Sequence, residues 1–153
     1  NYLDCLSGDF TFYPCEDDVH NPELDIPPEW YKPDERTMHE NMFGEDGYVE
    51  SISLELTNTE VVHDTGADPE DPLDDIYVHT EDVDLWVNTY GGMSYVVTAP
   101  SEFFLCVDPC ETGPYGETMW EICTWYDLSD PGRGNVDDGR EYTSWGGIKA
   151  LYR

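Results

Sequence analysis

Residues 64 to 75, DTGADPEDPLDD, place six carboxylates in twelve positions with no lysine or arginine among them. Calcium takes six to eight hard oxygens in flexible geometry, which closely spaced aspartates and loop carbonyls supply. Asp64, Asp68, Asp71, Asp74 and Asp75 are therefore a candidate calcium loop. The spacing lacks the D-x-[DN]-x-[DN]-G pattern of an EF-hand, so the signal is compositional. A well-hydrated connection between strands is the competing reading. A second candidate is Asp130, Asn135, Asp137 and Asp138, interleaved with glycines that let carbonyls turn inward. Arg133 in that loop competes with a cation for the same carboxylates.

Five cysteines stand at 5, 15, 106, 110 and 123. Cys5 and Cys15 flank LSGDFTFYP, where a disulfide would close a loop, and a second bridge is expected from Cys123 to Cys106 or Cys110. Connectivity does not follow from spacing, and the odd count leaves one thiol over. Zinc on Cys106, Cys110 and Cys123 is disfavoured, because the C-x3-C spacing is irregular and no histidine follows Cys123. Aromatic residues beside acids, Trp120, Trp125, Tyr126 and Trp145, form a candidate sugar-stacking platform. Their alternation along MWEICTWY splits them between two faces, which favours at least two as core.

Catalytic signatures are not found. There is no G-x-S-x-G elbow, no papain-type cysteine context, no H-E-x-x-H and no phosphate-binding G-x-x-x-x-G-K-[ST]. Carboxylate pairs suited to glycoside hydrolysis carry no information in a chain this acidic. The expectation is a protein that is not an enzyme.

Charge sets the wider frame. Among 153 residues, 35 aspartates and glutamates face 6 lysines and arginines, a formal net charge of −29. Such a surface repels itself unless cations or salt screen it, so cations are expected partners, in molar salt or in a calcium-rich extracellular medium. Nucleic acid and anionic membrane are excluded as partners, since both require basic residues to displace phosphate counterions. No apolar run approaches the roughly 18 residues of a membrane span. The chain begins Asn1-Tyr2-Leu3 rather than with methionine. A removed signal peptide, a larger lost leader or an arbitrary starting point each accounts for that, and the first agrees with the cysteines in suggesting a secreted protein.

The elements that must position these residues are mostly strands. Residues 1–47 hold five of eleven prolines and predict an extended N-terminal arm, with one short helix over 35–43 stopped by Gly44. From residue 48 the period is two: Tyr48, Ile52, Leu54 and Leu56 point one way, while Val49, Ser51, Ser53 and Glu55 point the other. Thr57-Asn58-Thr59 predicts a turn, and Gly91-Gly92 between two β-rich runs predicts a hairpin. The pair Gly146-Gly147 predicts a bulge or bend in a last strand.

About eight strands and no long amphipathic helix predict an all-β fold: an antiparallel β-sandwich, jelly-roll or Ig-like, over residues 48–153. The function expected from this is an extracellular structural or adhesive subunit of a filament, surface layer or viral appendage. Self-association would run through the arm, which would add a strand to a neighbouring sheet. The alternative is a calcium-dependent carbohydrate-binding module.

Overall fold

Runs of alternating apolar and polar residues become nine strands in the computed structural model, which describes residues 2–45, 47–63, 76–112, 118–129, 136–137 and 140–153. They are β1 (Leu6–Tyr13), β2 (Trp30–Tyr31), β3 (Val49–His63), β4 (Ile76–Thr89), β5 (Ser94–Val97), β6 (Ser101–Thr112), β7 (Thr118–Asp127), β8 (Val136–Asp137) and β9 (Arg140–Tyr142). The helices are α1 (Glu16–His20), α2 (Lys32–Phe43) and α3 (Trp145–Leu151), and a 3-10 turn spans Tyr2–Cys5. The fold is mostly β with few helices, and no described helix is long and apolar enough to cross a membrane.

All described strands join one mixed sheet in the order β2-β1-β7-β6-β4-β5-β9-β8, with β3 on β4. The all-β expectation holds at the level of class, with the strands joined in one mixed sheet rather than a wholly antiparallel one. Two pairings, β1 with β7 and β5 with β9, are parallel. Strand β3 pairs with β4 along its whole length. The other edge of β4 is shared: Ile76–Thr80 pairs with β6 and Leu85–Asn88 with β5. Proline has no N–H to donate to a ladder, and Pro100 falls where β5 gives way to β6.

The Gly91-Gly92 hairpin forms between β4 and β5, with Asn88 opposite Ser94 and Gly92 in the left-handed region at φ +80. Thr57-Asn58-Thr59, expected to reverse the chain, does not. The register with β4 continues unshifted from Thr57–Asp82 to Thr59–Thr80, with Asn58 between them at φ 51. A polar trio is a local preference, and thirteen residue pairs along one partner override it.

The first 47 residues are not a free arm. Strand β1 lies between β2 and β7, and Leu6, Phe10, Phe12, Trp30, Met38 and Met42 belong to the same core cluster as Val87, Phe103 and Trp125. The expected helix over 35–43 exists but starts three residues earlier. Pro33 sits in the first turn, where its missing N–H costs nothing. The Asp34 carboxylate accepts from the Tyr31 backbone N–H at 2.9 Å. Gly44 ends the helix, its N–H donating to the Glu40 carbonyl.

The chain end is also helical where a strand bend was expected. Ser144 caps α3 by accepting from the Gly147 N–H at 2.8 Å. A side chain at Gly146 would collide with the Asp18 carboxylate, so this glycine is required by close approach rather than by a bend.

Candidate functional site

Helix α2 carries Met38 and Met42 one turn apart on the face turned to the sheet, and both are buried. Glu35 lies on that same stripe at i, i+3, i+7 spacing, so an acid is carried into an apolar layer. Across from α2, strand β3 turns Ile52, Leu54 and Leu56 toward it, β4 adds Leu85 and Val87, and β7 adds Ile122 and Trp125. Helix α3 contributes Trp145, Ile148 and Lys149. These elements enclose a cavity of about 590 Å³, apolar except for His39 and Lys149. Ile52, Leu54, Leu56 and Phe43 are each 40–51% exposed and form its rim.

At the inner end the Lys149 ammonium donates to the Glu35 carboxylate, with side chains 3% and 0% exposed. It also packs over the rings of Phe12 and Trp125, at 4.3 and 4.9 Å from their centroids. Burial lowers the Lys149 pKa, against the opposing pull of Glu35 and Asp127. Two neighbouring donors are left over. The indole N–H groups of Trp125 and Trp145 are buried and have no hydrogen-bond partner among the described residues, and the two rings meet edge-on at 4.4 Å. An unmet buried donor costs about 1–3 kcal/mol.

Behind α3, Cys15, Asp18 and Asp127 gather with one ligand atom each within 4.8 Å. Their oxygens are already engaged. Ser144 donates its hydroxyl to Asp18, and Asp127 accepts from the Gly146 N–H at 3.0 Å and from Ser129. Burial raises the Asp127 pKa and pushes the Cys15 thiol up to about 12. This cluster anchors the start of α3, and thereby the backbone that presents Lys149.

Asp64, Asp68, Asp71, Asp74 and Asp75 lie outside the described residues, as do Asp130, Asn135 and Asp138. Asp137 is placed only as a residue of the short strand β8. Cys106 and Cys123 are disulfide-bonded, and the Cys110 side chain lies outside the described residues. Cys5 and Cys15 are free thiols, not a pair. Strand β1 runs between them, and its partner covers the span from Leu6 to Tyr13 in four residue steps, Ile122 to Tyr126. That is roughly 13 Å at about 3.3 Å per residue, beyond the ~7 Å that a disulfide bridges between Cα atoms.

The four aromatics do not form a platform. Trp125 and Trp145 are buried in the cavity wall, Trp120 is part-exposed, and Tyr126 stacks on Tyr13 at 4.8 Å. Lys149 and Glu35 escaped the sequence reading. The available signals were a lysine inside the apolar stretch WGGIKALY and an acid on the Met38–Met42 stripe.

No protein-family model matches the chain, and no curated protein matches it. Among solved structures, it is similar to one described as a putative aromatic ring hydroxylase from Novosphingobium aromaticivorans, at 17% identity and a TM-score of 0.52. The match covers 84% of this chain and 73% of that one, and it concerns the fold. It corrects the expected extracellular structural or adhesive role and the carbohydrate-module alternative. The fold is shared with a protein described as a hydroxylase, and the segment expected to join neighbouring subunits is built into the core.

Proposed function

We propose that the chain binds an uncharged, ring-bearing small molecule in the cavity between α2, α3 and the sheet. The observation that carries this reading is an apolar chamber of small-molecule size framed by both helices and the sheet. Its volume of about 590 Å³ falls within the roughly 300–1,000 Å³ usual for small-molecule sites. Charge narrows the class. Lys149 is already matched by Glu35, and a chain of net charge −29 repels anions, so a neutral ligand is preferred. The likeness to a protein described as an aromatic ring hydroxylase supports an aromatic occupant and an enzyme built on this chamber.

The test is a titration with N-phenyl-1-naphthylamine, a neutral probe whose fluorescence rises in apolar surroundings, followed also by quenching of the wall tryptophans. Saturable one-to-one binding is expected, displaced by naphthalene and not by benzoate. Leu54→Arg and Phe43→Arg change rim residues that are about half exposed, so each should leave folding intact and weaken binding at least tenfold. Absence of saturable binding, or binding indifferent to both substitutions, overturns the reading.

A further inference from the structure

We propose that a second copy of this chain pairs antiparallel with the outer edge of β3, about a twofold axis through Leu56. The inference is independent of the ligand reading above. Strand β3 runs along β4 on one side, and among the described strands none lies on its other side. Residues 50 to 61 are all exposed, on both faces of the strand. Its fifteen residues present roughly 50 Å of open edge at about 3.3 Å per residue. Folded proteins guard such edges with lysines, prolines or bulges. Strand β3 has no lysine, arginine or proline, and its register on β4 holds unshifted from Ser51 to His63. Ile52, Leu54, Leu56 and Val61 are 40–57% exposed along it, so the edge is apolar as well as open.

The order of residues in the strand selects a copy of itself as the occupant. An axis perpendicular to the sheet keeps like faces together, and Leu56 is the middle residue of Val49–His63, so an axis there pairs the strand along its full length. Leu56 then faces its own counterpart, Glu55 faces Thr57, Ser53 faces Thr59, Glu60 faces Ile52, and Glu50 falls opposite position 62. No carboxylate meets another across the seam. An axis at Glu55 instead would set Glu55 against itself and Glu50 against Glu60, and like charges directly opposed destabilise a ladder. Leu54 and Leu56 lie on the cavity side, and Leu56 also reaches the partner's Leu54 diagonally. Four leucines thereby cover one another at the axis, and the two cavity mouths stand side by side. Such a contact uses the same surface on both copies and closes at two. Charge opposes it, because two copies at −29 each repel until salt screens them.

The experiment is sedimentation velocity over a concentration series at about 0.5 M sodium chloride, where charges are screened within about 4 Å. The unmodified protein is expected to show a monomer–dimer equilibrium. Leu56→Glu and Leu56→Lys each set like charges against one another on the axis, at a side chain 40% exposed in the single chain. Each should weaken dimerisation about tenfold or more. Mixing the two variants should restore a dimer, which neither a misfolded variant nor a contact elsewhere on the surface would give. A parent that stays monomeric at every concentration, a dimer indifferent to both substitutions, a mixture that stays apart, or an open series of larger species overturns the proposal. Should neither variant fold, hydrogen exchange of the unmodified protein decides. Amides of β3 should exchange more slowly at high concentration than at high dilution, and exchange unchanged across that range refutes the seam.

Discussion

Replacing Glu35 with leucine puts an apolar side chain of similar size on α2 and removes the carboxylate to which Lys149 donates, in a place where the two side chains are 0% and 3% exposed. The ammonium then has two options. It keeps its charge without its partner, which costs several kcal/mol, or it surrenders the proton. Surrender at pH 7, about 3.5 units below the ordinary 10.5, costs close to 5 kcal/mol at about 1.36 kcal/mol per unit. The cheaper route sets the loss, so Glu35→Leu should cost about 3–5 kcal/mol at pH 7.

The sign with pH follows from proton counting. With Glu35 present, Lys149 is the charged partner of an ion pair when folded and is charged when unfolded, so it contributes no slope across the neutral range. In the variant the folded state holds none there and the unfolded lysine holds one, so stability rises with pH. The deficit should shrink by about 1.4 kcal/mol per unit from pH 7 toward the lysine value. Adding Lys149→Met should remove the dependence and restore stability to within about 1 kcal/mol of the parent, or above it. Urea unfolding followed by tryptophan fluorescence at several pH values reads all three. A single-variant loss below about 1 kcal/mol, a deficit flat with pH, or a double variant no better than the single refutes this account of the buried pair.

Other perturbations probe the supports of the site. Gly146→Ala drives a methyl group against the Asp18 carboxylate and should cost about 1–3 kcal/mol in the same assay, with a loss of ligand affinity because α3 shifts. Ser144→Ala removes the cap on Gly147 and the donor to Asp18, again about 1–3 kcal/mol. At pH 8, Cys5 is exposed and should react quickly with a disulfide reagent. Cys15, buried and with its thiol pKa pushed up to about 12, should be labelled only on unfolding, as peptide mapping will read. A net charge of −29 predicts a melting temperature that climbs as sodium chloride rises from about 0.01 to 1 M. A flat response would show the carboxylates already neutralised within the fold.

Local chemistry was legible where neighbours in sequence set the outcome. The glycine pair at 91 and 92 specifies its own turn, and Met38, Met42 and Gly44 mark the helix face and its end. Distant partners decided the rest. Prolines 27, 28 and 33 suggested an extended arm, yet Pro33 sits in the first turn of a helix and β1, earlier in the same segment, is inserted between β2 and β7. Gly146 and Gly147 are poor helix formers, each about 1 kcal/mol worse than alanine. The bonds their amides donate to the Asp127 carboxylate and the Ser144 hydroxyl oxygen hold them helical. The site escaped for the same reason. Glu35 and Lys149 stand 114 residues apart, and neither is remarkable until the fold buries them together.

The cavity's occupancy is the claim on which the functional account stands, and a crystal of the protein soaked with 1-bromonaphthalene tests it most directly. The account predicts one dominant anomalous bromine peak inside the chamber, with the rings between Leu54 and Trp125 and the Lys149–Glu35 contact intact. A chamber closed by its own side chains, with bromine only on the outer surface, would contradict it.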